Sequence, residues 1–305
     1  MPDGITVNAG GREYASSGAR MIPPIPAQNR TGARAFALVM RWLVRIAALL
    51  TAAVLIFLIG YILVMGIPNL KPSLFEWTYN SENVSLVPSL INTVLMTAFS
   101  LVIATPLGIF AAVWLVEYAK RGNKLVKVVR VTTETLQGIP SIVFGLFGML
   151  FFVSQLHWGY SLIAGAFTLA IMVLPVVMRT TEEALLAVPD SYREGSFGLG
   201  AGKLRTVFTI VLPSAMPGIL SGVILAVGRI VGESAALLYT AGFGLVLNDF
   251  FTSLESSSAS LTVALYVYAS ERGETDVAFA IATILMVLTL VINLSASLVG
   301  KKLKK

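Results

Sequence analysis

Apolar stretches of roughly twenty residues recur along this chain, separated by short polar segments that hold most of its charges. Residues 1–34 are rich in Gly, Pro and Ser, lack periodicity, and read as a disordered tail. The first apolar run, 46–66, has about the twenty residues that a bilayer core requires. It is too long for the apolar centre of a signal peptide and lacks a small-residue cleavage site, so it reads as a retained anchor. A polar segment with Lys71, Glu76, Trp77 and Glu82 completes a first portion, 35–85. Further runs follow at 87–115, 132–153, 161–178, 214–238 and 277–299, with Pro106 tilting or kinking the first of these. Between them lie a basic connector ending at Arg130, a turn at 155–160, a loop over 179–213 and a long segment, 242–276. The pattern predicts an all-α, polytopic membrane bundle of about six transmembrane helices, its core spanning 86–305. Residues 261–268 suit either a dip into the bilayer or a position on its surface.

Composition agrees with that pattern. The chain is 56% hydrophobic and 12% charged, against about 25% charged in soluble domains, and its mean hydropathy is +0.82. Cys is absent, which excludes disulfides and thiolate metal sites. A net charge of +6 would suit a nucleic-acid partner, but the placement of the charges points elsewhere. With the amino terminus in the cytoplasm, the tail and its extension place Arg12, Arg20, Arg30, Arg34, Arg41 and Arg45 inside. The connector adds Lys120, Arg121, Lys124, Lys127 and Arg130, and the 179–213 loop adds Arg179, Arg193, Lys203 and Arg205. With Lys301, Lys302, Lys304 and Lys305, 19 of the 22 basic residues fall inside. Only Lys71 and Arg272 lie outside, and Arg229 lies within a span, so both termini are assigned to the cytoplasm.

The inside loop carries the most informative stretch, 194–213. Its skeleton is Glu194, Gly195, Ser196, then Gly200, then Ile210, Leu212 and Pro213. Small residues at 195, 196, 198, 200, 201 and 202 let another protein approach a short helix–turn–helix closely. Pro213 is expected to stop the second segment before the next apolar helix. The Gly198–Lys203 run is no phosphate loop, because Phe197 stands where the first glycine is needed and Leu204 where a Ser or Thr must hold magnesium. A single histidine, His157, cannot build a His-x-x-x-His metal site. No Ser/His arrangement or intramembrane acid pair points to catalysis, so the chain reads as a non-catalytic subunit with no cofactor of its own.

Inside the fifth apolar run, Arg229 and Glu233 are four positions apart and stack on one face of a continuous helix. A central arginine costs about 2.5–3.5 kcal/mol on translocon scales, so it needs water, a partner or a substrate. The pair is either a self-neutralised packing couple or part of an anion path. In the second reading Arg229 offers a guanidinium fork to phosphate-like oxygens while Glu233 weakens binding or holds Arg229 in place. Intramembrane charges favour the second reading. Glu134 and Gln137 are weaker path candidates.

The 194–213 skeleton resembles the EAA loop of ATP-binding cassette (ABC) importer permeases. Pro106-Leu-Gly-Ile, Glu117-Tyr-Ala, Gly138-Ile-Pro-Ser-Ile-Val-Phe-Gly-Leu-Phe-Gly148 and Gly228-Arg-Ile-Val-Gly-Glu-Ser-Ala-Ala-Leu-Leu-Tyr-Thr-Ala-Gly242 resemble permeases of the phosphate-specific ABC importer, PstA type, within the MetI-like permeases. Ser234 stands where Thr is commoner, and Gly195-Ser196 replaces Ala-Ala. The resemblance implies a type I importer permease that moves inorganic phosphate. It further implies a dimeric cytoplasmic ATP-binding subunit (PstB type) that holds ATP-Mg, a second homologous permease (PstC type) and an extracytoplasmic phosphate-binding protein (PstS type). In that scheme Glu194, Gly195, Ser196, Gly200, Ile210, Leu212 and Pro213 couple to the ATPase, and Arg229 and Glu233 line the substrate pathway. A permease for molybdate, tungstate or sulfate, and a membrane scaffold or channel without transport, stand as alternatives.

Overall fold

A computed structural model describes residues 30–80, 83–120, 122–246 and 250–302. Residues 1–29 of the expected tail, with Glu82, Arg121, Lys304 and Lys305, lie outside the described residues. Every regular element among the described residues is helical.

The chain divides into two units, Met1–Phe57 and Leu58–Lys305. The described part of the first is a helix that starts at Arg30, so residues 30–34 belong to α1 (Arg30–Gly66) rather than to an irregular tail. Its side chains from 36 to 57 are all exposed, including Trp42, Leu49, Ile56 and Phe57. Water does not tolerate such a surface on so long a helix, whereas lipid does.

The second unit is built around α5 (Leu162–Leu186), which is buried for most of its length. Leu162, Leu169, Val173 and Val177 are fully enclosed, as befits a helix that is apolar on every side as far as Met178, and so is Leu185 beyond the charged turn at 179–183. Around it pack α2 (Val87–Val113), α4 (Ser141–Gly148), α8 (Leu212–Val231) and α9 (Ala235–Thr240). Among the described residues, five helices are long and apolar enough to cross a membrane, and six if the bent pair of α3 (Lys124–Gly138) with α4 and its π-helical extension counts as one span.

That pair occupies the run expected over 132–153, and it is bent. Its two arms meet at 101°, because Pro140 has no N–H and pushes Ile139 out of the helical region, to φ −74 and ψ 132. The segment 261–268 is helical. It forms α11 (Leu261–Tyr266) and the start of a π turn, Val267–Glu271. Leu261, Val263, Ala264 and Tyr268 are fully buried, packed against α2, α9 and α12 (Thr275–Lys302). Gly66 at the end of α1 sits so close to α12 that a Cβ there would collide with Thr283 and the Phe279 backbone.

Candidate functional site

The loop after α5 folds as a compact knuckle. Its first arm, α6 (Asp190–Gly198), ends in a turn at Gly200, whose φ is +83. The Gly200 N–H donates to Phe197 O (2.9 Å) and the Ala201 N–H to Ser196 O (3.1 Å). This is the Schellman arrangement, which places a left-handed residue just past a helix end and so favours glycine. The second arm, α7 (Lys203–Thr206), folds back, and a buried hydroxyl pair, Ser196 with Thr206 at 2.8 Å, holds the arms together. Outside this clasp the knuckle is open. A Cβ added to Gly195, Gly198 or Gly202 would meet nothing within 4 Å. Glu194 is exposed, and Leu199 is 92% exposed at the tip beside exposed Phe197 and Leu204.

Pro213 does not end a segment, contrary to expectation. The chain from Lys203 to Val231 is one continuous helix, with a π turn, Val207–Val211, directly ahead of the proline. That wider turn re-phases the hydrogen bonds where the proline ring supplies no N–H, and the Ser214 hydroxyl donates to Ile210 O at 2.7 Å. Ile210 and Leu212 are half-buried and Pro213 is exposed.

Two residues that the sequence placed in other roles tie the knuckle to the bundle. Arg193 donates from Nε (3.0 Å) and Nη2 (2.7 Å) to Glu117 Oε1, at the π turn Trp114–Tyr118 that closes α2. The same guanidinium donates to Val188 O (2.8 Å), Leu185 O (3.0 Å) and Asp190 Oδ1 (3.1 Å). Both side chains of the main pair are largely enclosed, at 14% and 8% exposure, so each charge depends on the other. Arg193 thereby joins α6, the carboxyl end of α5 and the end of α2. The available signal was an isolated acid, Glu117, at the mouth of a basic connector.

The second feature is mid-bundle. α8 stops at Val231, and Gly232, Glu233 and Ser234 form a break before α9. Glu233 therefore does not stack on Arg229. Its N–H turns to Ile230 O (3.1 Å), and its buried carboxylate accepts from the Ala236 N–H at 3.0 Å, where the amino end of α9 favours negative charge. The Glu233 carbonyl accepts from the Thr262 hydroxyl at 2.6 Å. A polar seam steadies this break. The Leu261 N–H donates to Thr93 Oγ1 (2.9 Å), beside buried Ser89, Asn92, Thr97 and Ser100 of α2. The break thus exchanges lost helical bonds for side-chain partners.

Arg229 is left half-exposed, with no hydrogen bond or ion pair among the described residues. Gly218 abuts Ala184 and Gly222 abuts Thr180, an antiparallel register that, carried forward, sets Arg229 abreast of Val173, midway along α5. A Cβ on neighbouring Gly228 would meet nothing, and Leu225 is 60% exposed, so this side of α8 is uncovered. The weaker candidates are engaged elsewhere. Glu134 lies 3.4 Å from Arg179, and Gln137 donates to Pro175 O at 3.0 Å. His157 is exposed, and no metal-binding cluster occurs among the described residues.

Comparison with known proteins follows the same lines. The family described as binding-protein-dependent transport system inner membrane component matches residues 104–305. The chain is 35% identical over 278 residues to the probable ABC transporter permease protein YqgI of Bacillus subtilis, covering 85% of this chain and 93% of that one. It is 40% identical over 237 residues to the phosphate transport system permease protein PstA of Pasteurella multocida, covering 76% and 82%. Among solved structures, a bacterial alginate ABC transporter in complex with an alginate pentasaccharide-bound periplasmic protein aligns with a TM-score of 0.61 at 17% identity. That alignment covers 89% of this chain and 99% of that one, and supports the fold alone.

Proposed function

Because the chain belongs to the family of binding-protein-dependent transport system inner membrane components, we propose that it is the transmembrane permease subunit of an ATP-driven importer of inorganic phosphate. The observation that carries the substrate is its similarity to permeases named for phosphate transport, at 34–40% identity over most of the chain. The geometry contributes an uncompensated arginine halfway through the bundle. The chain is a multi-pass protein of the plasma (inner) membrane, and its basic connector, knuckle and both termini face the cytoplasm.

The chain performs no chemistry itself. A dimeric ATP-binding subunit of PstB type holds ATP-Mg and grips the knuckle, whose open glycines and exposed Leu199 suit a docked surface. Glu194, Gly195, Ser196 and Gly200 shape that contact, while Ile210, Leu212 and Pro213 carry it into α8. From Lys203 to Arg229 the helix is unbroken, a lever of about 40 Å at 1.5 Å per residue. Motion of the knuckle therefore reaches Arg229 directly, and reaches the ends of α2 and α5 through Arg193.

A binding protein of PstS type delivers phosphate at the outer segments, including 242–276. A second permease of PstC type covers the open side of α8 and completes the path. There Arg229 meets the anion with a planar fork matched to phosphate oxygens. Glu233, spent on α9, contributes by fixing the helix break rather than by pairing with Arg229. A lone guanidinium holds an anion loosely enough for it to leave, as a conducting path requires.

The test is uptake of labelled phosphate by cells carrying the complete transporter, with sulfate, molybdate and tungstate as competitors. Uptake resistant to those anions and competed by unlabelled phosphate is expected. Failure of phosphate to compete would exclude the substrate. Arg229→Gln is expected to cut uptake by tenfold or more, in line with the loss of one charged hydrogen-bonding partner, with assembly of the complex unchanged.

A further inference from the structure

At the knuckle end of the bundle lies a cavity of about 780 Å³, walled by α3, the end of α2 and the start of α6. Its volume falls within the range of ligand pockets. The charges around it do not balance. Glu117 is taken by Arg193, which also holds Asp190, and Glu134 is engaged by Arg179. Arg130, also on the wall, pairs with Glu182. Every acid of the lining is thus bound to an arginine, while Lys120, Lys124 and Lys127 have no ion pair among the described residues. Three uncompensated ammonium groups face one concavity.

The flank of the same helix says what kind of molecule brings the anion. Along α3, Lys124, Lys127 and Arg130 recur every three residues on the cavity side. Leu125, Val128 and Val131 recur beside them and are each more than half exposed. Leu186, at the cavity edge, is also exposed. An amphipathic helix with a lysine row next to a bare apolar row lies in a membrane surface, its charged row at headgroup level.

We propose that this cavity binds a phosphate-bearing anion, the headgroup of an anionic phospholipid, with its acyl chains against the Leu125–Val128–Val131 row. The proposal rests on the reading of the chain as a membrane permease whose connector faces the cytoplasm. There, basic pockets between helices attract anionic lipid. Because Arg193 and Glu117 form the far wall, an occupied cavity braces the joint between knuckle and bundle.

The purified full-length chain in mild detergent tests this by native mass spectrometry, with phosphatidylglycerol, phosphatidylcholine and inorganic phosphate as separate probes. The wild-type chain is expected to retain one phosphatidylglycerol under conditions that strip phosphatidylcholine. The Lys120→Gln/Lys124→Gln/Lys127→Gln variant should bind it on the order of tenfold more weakly or worse. The corresponding triple Arg variant should keep it, and Lys71→Gln, in the opposite polar segment, should change nothing. Retention of inorganic phosphate instead, lost in the Gln variant, would support the anion site with a free-anion source. Equal retention of the two lipids, or identical behaviour of wild type and Gln variant, would overturn it. Binding is read without transport, so a failed substrate assignment leaves this result standing.

Discussion

Glycine does opposite work in the bundle and in the knuckle. Within the bundle, a Cβ at Gly145 would lie 2.7 Å from Ala236 Cα, and one at Gly148 or Gly222 would collide with Thr168 Oγ1 or Thr180 Oγ1. These positions are small because the chain's own helices pass through the space, as apolar membrane helices must approach closely to attract one another. At Gly195, Gly198 and Gly202 the space is empty. The fold of this chain gives no steric reason for their size, whereas a partner docked there, as proposed above, would. Small residues alone therefore do not reveal which role they serve, whereas their surroundings do.

The contrast can be tested by mutation. The largest effect is expected at the joint between the two regions. Arg193→Ala leaves Glu117 buried without a partner and should destabilise the protein by about 3 kcal/mol, read as a fall in the thermal midpoint of the purified chain. Swapping the pair, Arg193→Glu with Glu117→Arg, should recover part of that loss. Gly145→Leu drives a side chain into the α9 backbone, which has no rotamer to yield. About 1–3 kcal/mol of destabilisation is expected, visible as reduced folded protein in the membrane fraction.

Gly200→Ala should cost roughly 1 kcal/mol, since a methylated residue is strained at positive φ whatever the space around it. Gly195→Leu is the smallest in stability, within about 0.5 kcal/mol of wild type. It should nonetheless abolish copurification of the ATP-binding subunit. A Gly195→Leu chain that still captured the subunit would make the open glycines incidental.

Much of the architecture is legible in the sequence. The apolar runs lie where the crossing helices lie, and the skeleton at 194–213 folds as the compact helix–turn–helix that its small residues suggested. The gaps share a cause. The Arg229/Glu233 stack treated an apolar run as an uninterrupted helix, and the 132–153 run carried no sign of how far its helix bends. Pro140 and Gly232 were visible as interruptions, but neither residue says how large a bend results or which groups receive the freed backbone. Pro213 shows the converse, a helix breaker absorbed by a π turn.

Hydropathy and charge bias add up along the chain, so the number of crossings, the apolar character of each and the clustering of basic residues belonged to the primary structure. Pairing does not add up in that way. Glu117 and Arg193 are 76 positions apart, and Thr262 stands 29 positions from the Glu233 carbonyl it steadies. Those contacts exist only once the helices have packed, because a buried charge or an unpaired backbone group is affordable only beside the atom that satisfies it. Packing therefore chose which charges are neutralised, and it left Arg229 bare in the middle of the bundle.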